Sequence, residues 1–180
     1  MRLFIAIELP RSFKQELARV QKEVKQMSCG GRFVPQENFH ITLHFIGESD
    51  DLAGAVVDLA VMREAARGIR TFTLHLGKYD CFDKNGSKTS FLNVKGELDE
   101  LDRLYESLQS ALYDNGFSRE RKRFRPHITL GRNVEHDELV TEELKRLSPN
   151  ASMTVQGITL FESARQEGKV VYNPLHRERF

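Results

Sequence analysis

The tetrapeptide His-Ile-Thr-Leu occurs twice, at His40–Leu43 and again at His127–Leu130, about half a chain apart. With seven Ile, eight Thr and twenty Leu among 180 residues, composition places Ile-Thr-Leu behind one of the six histidines with a probability on the order of 10⁻³. A second copy by accident is rarer still, so duplication is the better account. Both copies sit in β-branched, apolar surroundings that read as strands. On a strand, successive side chains point to opposite faces. His40 and Thr42 therefore share one face and Ile41 and Leu43 the other, and the same holds for His127 and Thr129 against Ile128 and Leu130.

The rest of the chain fits two rounds of one pattern: strand, long helix, strand, short helix, strand. In the first round, Arg2 to Leu9 reads as a buried strand. Pro10 then opens a helix striped by Phe13, Leu17, Val20, Val24 and Met27 and ended by Cys29-Gly30-Gly31. Phe39 to Gly47 is a strand. A helix capped near Ser49 or Asp50 follows, with Leu52, Val56 and Leu59 on its inner face. Thr71 to Phe82 is a strand that turns at Lys84-Asn85-Gly86 into a hairpin partner. In the second round, Leu98, Leu101, Leu104 or Tyr105, Leu108 and Leu112 stripe a helix that stops at Asn115-Gly116. Phe124 to Arg132 is a strand, and a short helix spans about Asp137 to Leu147. Ser152 to Ser163 and Lys169 to Phe180 finish as two strands. The expected organisation is one bilobal domain over 1–180, with repeats at about 1–82 and 88–162 and a C-terminal strand over 168–180.

Charge and cysteine content narrow the class. Lys plus Arg number 27 against 26 Asp plus Glu, for a net charge of +1. That excludes a histone-like coat protein, so any nucleic-acid contact must come from a local patch. Leu3 to Ile7 is too short an apolar run for a membrane span, and no membrane partner is expected. The two cysteines, Cys29 and Cys81, form neither a disulfide framework nor a zinc motif, which makes a reducing cytoplasm the default compartment. A monomer is the default state.

If the two lobes face one another, both His–Thr pairs converge on one cleft. Two imidazoles and two hydroxyls, with no carboxylate or metal ligand in the motif, suit in-line displacement at phosphorus. One neutral imidazole takes a proton from the entering oxygen, and a protonated one delivers a proton to the leaving oxygen. The hydroxyls hold the non-bridging oxygens. Alternation alone does not say which histidine is which. No cofactor and no metal are called for.

The paired His-x-Thr motifs, the opening RLFIAIELP, and the FHITLHFIGE and RPHITLGR blocks resemble the 2H phosphoesterase superfamily. Within it they resemble the bacterial and archaeal RNA 2′,3′-cyclic phosphodiesterases, also called 2′-5′ RNA ligases (LigT-like). The resemblance implies a bilobal α+β fold. Two antiparallel sheets, related by a pseudo-two-fold axis, line a central cleft, with helices on the outer faces. It also implies metal-independent opening of a 2′,3′-cyclic phosphate to a 2′-phosphomonoester, with 2′-5′ joining as the reverse sense. By the same resemblance His40 is the general acid and His127 the general base. Thr42, Thr129 and Arg132 hold the phosphate, and Phe45 stacks on the terminal base. The implied partners are RNA ends carrying a 2′,3′-cyclic phosphate, tRNA fragments among them.

Arg132 and Phe45 each lie five residues past a histidine, which in an unbroken strand turns them to the opposite face. Gly131 offers a bulge before Arg132. Phe45 has no such device nearby except Gly47, so core packing and base stacking both stay open for it. His44 falls on the face of His40 by alternation and lines the cleft in that reading. His136 and His176 read as surface residues. Arg119, Arg121, Lys122, Arg123 and Arg125 precede the second motif, and Arg123 and Arg125 are the expected RNA contacts. The alternatives are a 2H phosphoesterase acting on another cyclic phosphate or a 2′-5′-linked oligonucleotide, and a non-catalytic RNA-binding protein.

Overall fold

The computed structural model describes residues 1–49, 52–85 and 87–180, with the backbone alone at 52–57. Asp50, Gly86 and the side chains of Leu52 and Val56 lie outside the described residues. The chain runs β1 (Arg2–Glu8), α1 (Arg11–Met27), β2 (Gly30–Phe33), β3 (His40–Glu48), α2 (Leu52–Ala66), β4 (Phe72–Lys84), β5 (Ser87–Gly96), α3 (Leu98–Asp114), β6 (His127–Glu135), α4 (Glu138–Leu144), β7 (Ser152–Val155), β8 (Gly157–Gln166) and β9 (Lys169–Arg179). A single 3₁₀ turn at Gln36–Asn38 leads into β3.

The strands form two antiparallel sheets, ordered β3-β1-β8-β9 and β2-β6-β5-β4-β7. The halves of the chain exchange strands. β4 closes the first half in sequence yet pairs with β5, and β8 closes the second half yet pairs with β1. Each sheet thus needs both halves, and β3-β1-β8 repeats the connectivity of β6-β5-β4.

Helices cover the outer faces. Gln21 on α1, buried among Phe13, Leu17, Val20 and Val24, donates from Nε2 to the carbonyls of Val34 at 2.7 Å and Leu130 at 2.9 Å. That bond seats α1 on β6. On α3, Gln109 donates to His44 Nδ1 at 3.2 Å, which seats that helix on β3. Ser107 of α3 donates to the Ala65 carbonyl of α2 at 2.8 Å, joining the two helices. Ile41, Leu43, Ile128 and Leu130 are all buried under these helices. Each such side chain stabilises by about 1.5–3 kcal/mol, so a one-residue slip of either strand is strongly disfavoured. That fixes which face His40 and His127 present.

Four local expectations change. Cys29-Gly30-Gly31 does not merely end α1. Gly30–Phe33 is a short edge strand held by β6, and the Cys29 N–H donates to the Glu135 carbonyl at 2.7 Å. Four residues with two glycines carry no strand signal; only the neighbour makes them one. Ser152 to Ser163 is two strands, β7 and β8, which separate at Gln156 into different sheets. β6 begins at His127 rather than Phe124, because Pro126 cannot donate to a ladder and Phe124 instead stacks on Tyr105 of α3 with centroids 4.1 Å apart. Among the described side chains of α2, Val61, Met62 and Ala65 are buried and Leu59 is only half-buried.

Candidate active site

His40 opens β3 and His127 opens β6, and both are anchored in the same way. The Nδ1 of His40 lies 2.7 Å from the Asn38 carbonyl, and the Nδ1 of His127 lies 2.7 Å from the Arg125 carbonyl. A carbonyl only accepts, so Nδ1 carries the proton in each ring and Nε2 is left as the working nitrogen. The Thr42 hydroxyl donates to Nε2 of His40 at 2.8 Å. Asn38 is itself buried and fixed, because its side chain donates to the Val170 carbonyl of β9 at 2.9 Å.

Aromatic rings wall both imidazoles. Phe4 and Tyr172 lie 5.1 and 5.2 Å from the His40 ring, Tyr172 edge-on. Phe82 and Phe91 meet the His127 ring at 5.4 and 5.2 Å, both edge-on. Burial therefore lowers the pKa of His40, and the charges of Arg132, His127 and Lys14 lower it further against the opposing bond to Asn38. Burial likewise lowers His127, with the charges of Arg125 and Arg132 adding and the Arg125 carbonyl opposing. The two imidazoles thus feel one another and share the field of one arginine, Arg132.

The parity problem at offset five has a structural answer, and it is the same in both strands. β1 pairs Ala6 with Thr42 but Ile5 with His44, leaving Leu43 as an extra residue. β5 pairs Phe91 with Thr129 but Ser90 with Gly131, leaving Leu130 as an extra residue. The final Leu of each motif is therefore a β-bulge, which reverses the facing of the residues that follow it up to the next shift in register. Phe45 pairs with Phe4 and so shares the face of Thr42 and His40; it is 65% exposed, and its ring lies 6.0 Å from Phe4. Its place is the cleft and not the core. Arg132 comes onto the face of His127 and Thr129 by the same device. His44 is carried the other way, to α3 and Gln109, so it does not line the cleft.

The basic run divides. Arg125 lies beside His127, its guanidinium over Phe82 and Phe91 at 5.1 and 4.9 Å and bonded to Asp80 at 3.3 Å. Arg123, with Arg119 and Lys122, instead lines a groove along α3 beside Tyr105 and Gln109. His136 is half-buried and bonded to the Tyr79 hydroxyl at 2.8 Å, and His176 to Glu178 at 2.9 Å, so neither is a free surface group. Tyr172 and Phe82 were not legible as site residues, because β9 and β4 come beside the motifs only through the exchanged sheets. Asn38 acts through its backbone carbonyl and Phe91 through the register of β5 on β6, neither of which is written in residue type. Among the described residues no group of three or more His, Cys, Asp or Glu side chains is placed to hold a metal ion. No described helix is long and apolar enough to cross a membrane.

Comparison with known proteins identifies the family. Residues 9–167 match the family model described as the 2′-5′ RNA ligase superfamily. An RNA 2′,3′-cyclic phosphodiesterase of Thermotoga maritima is 33% identical over 132 residues, 73% of this chain and 70% of that one. One of Escherichia coli is 30% identical over 176 residues, 98% and 94% of the two chains. The crystal structure of E. coli LigT complexed with 3′-AMP superposes with a TM-score of 0.78 at 27% identity, covering 99% of this chain and 97% of that one. The chain belongs to the 2′-5′ RNA ligase superfamily and is a phosphodiesterase enzyme.

Proposed function

We propose that the protein is an RNA 2′,3′-cyclic phosphodiesterase that opens a terminal cyclic phosphate to a 2′-phosphomonoester by two-histidine acid–base catalysis. The observation that supports this reading is the pair of equivalent bulges at Leu43 and Leu130, after which Phe45 shares the face of His40 and Thr42, and Arg132 that of His127 and Thr129. Nε2 of neutral His127 takes a proton from water as its oxygen bonds to phosphorus. The bond from phosphorus to O3′ breaks, and protonated His40 delivers its Nε2 proton to that oxygen. Thr42, Thr129 and Arg132 hold the non-bridging oxygens as charge shifts onto them. The entering phosphate raises the pKa of a buried imidazole beside it, which favours the protonated His40 the step requires. Phe45 supplies an open aromatic face for the terminal base. An RNA 5′-hydroxyl in place of water turns the same displacement into 2′-5′ joining. The aligned lengths and connectivity of the halves support the duplicated organisation of 1–82 and 88–162 within one domain.

The test is incubation with an RNA bearing a 2′,3′-cyclic phosphate end in excess EDTA, with the product identified. Conversion to the 2′-phosphate is expected. A 3′-phosphate product reverses the acid and base assignment, and loss of turnover in EDTA replaces it with metal chemistry.

A further inference from the structure

Arg32 lies on β2, a strand that the sequence pattern does not reveal. It pairs directly across the ladder with Arg132 of β6. Residues opposite one another in an antiparallel pair project to the same face. The next pair fixes which face that is. Phe33 is opposite Gly131, packs against the core, and stands where a side chain on Gly131 would go, its Cδ1 2.9 Å from the Cβ position. Phe33 and Gly131 therefore mark the core face, and Arg32 shares the opposite face with Arg132, whose charge reaches both His40 and His127.

Two like charges directly opposite one another destabilise a sheet. Some other arginines pair with a carboxylate: Arg19 with Glu16, Arg70 with Glu97, Arg125 with Asp80 and Arg177 with Glu8. Arg32 and Arg132 have no acidic partner among the described residues, and Arg32 is exposed. A bound anion offsets that repulsion: either one phosphate gripped by both groups, or two phosphates, the second met by Arg32 one strand further from His127. Guanidinium is the group best suited to bind either, through paired N–H donors.

We propose that Arg32 binds the internucleotide phosphate on the 5′ side of the terminal nucleotide, while Arg132 holds the cyclic phosphate at the reacting centre. This rests on the function proposed above and extends it. The cleft then reads a polynucleotide end rather than a lone cyclic nucleotide, through a second phosphate subsite on the edge strand β2.

Two substrates separate the subsites: a nucleoside 2′,3′-cyclic phosphate, with no second phosphate, and a 3′,5′-linked dinucleotide ending in the cyclic phosphate. For Arg32→Gln, the ratio of kcat/KM for the dinucleotide to that for the mononucleotide is expected to fall roughly tenfold, the scale of one charge-assisted contact. The decline of dinucleotide kcat/KM with added salt should become shallower, because one charge–charge contact open to screening is lost. Arg32→Lys should recover the salt dependence and only part of the ratio, because it keeps the charge without the fork. A ratio unchanged from wild type overturns the proposal, including the case where both substrates weaken equally because Arg32 touches the reacting phosphate. If wild-type protein turns over neither substrate, the proposed function fails rather than the subsite.

Discussion

β3 and β6 carry the same tetrapeptide, the same bulge at its last residue, and the same Nδ1 anchor two residues upstream, yet they end in different hands. Beyond the bulge β3 places His44 outward and Phe45 inward, and β6 places Gly131 outward and Arg132 inward. The neighbours account for the outward position. β3 is the edge of its sheet, so His44 has room to reach Gln109 on α3. β6 is flanked by β2, whose Phe33 fills the space a side chain at 131 would need. One lobe thus offers the cleft an aromatic surface and the other a cation. In the function proposed above, the aromatic position serves a base and the cationic position serves phosphate.

The sharpest break of that comparison removes what the two strands share. His40→Ala and His127→Ala should each lower kcat by about 10²–10⁴, and their pH profiles should differ. Both pKa values are lowered from 6.5. The free enzyme needs neutral His127, lost as pH falls through its pKa, and protonated His40, lost as pH rises through its own. The wild-type kcat/KM profile is therefore a bell centred below pH 6.5. His127→Ala should erase its acid limb and His40→Ala its alkaline limb. Profiles that keep both limbs in either variant are incompatible with the assignment.

Smaller effects sharpen the contrast at the position where the strands differ. Arg132→Gln should cost about 10- to 100-fold in kcat, because its donors act on charge at phosphorus. Phe45→Ala should instead raise KM about tenfold with kcat nearly kept, the scale of one base stacked on an aromatic ring. Steady-state kinetics on a cyclic-phosphate RNA end reads both, and matching kcat losses would contradict a division of labour. The smallest effect concerns the frame. Gly131→Ala places a Cβ 2.9 Å from Phe33 Cδ1 and 3.0 Å from Val134 Cγ2. It should destabilise by about 1–3 kcal/mol, read as a Tm several degrees lower in thermal unfolding. An unchanged Tm means that β2 does not press on β6 as described.

Period-2 alternation and the repeated motif were enough to place two histidines and two threonines on matching faces, because the side-chain period of a strand is local and Ile41, Leu43, Ile128 and Leu130 each demand burial. The helix stripes of α1 and α3 were equally readable, since an apolar face at 3.6-residue spacing is written in one segment. The same local rule misplaced His44 and left Phe45 undecided. A bulge is set by the partner strand's register, which no single segment contains. β2, Tyr172 beside His40, and Arg32 opposite Arg132 were hidden for a related reason: each acquires its place from a strand far away in the chain. What the amino-acid order determined alone was which groups exist and which face each motif buries. Tertiary structure decided which of them meet, because pairing between distant strands, and not propensity within one, sets the facing of everything beyond a bulge.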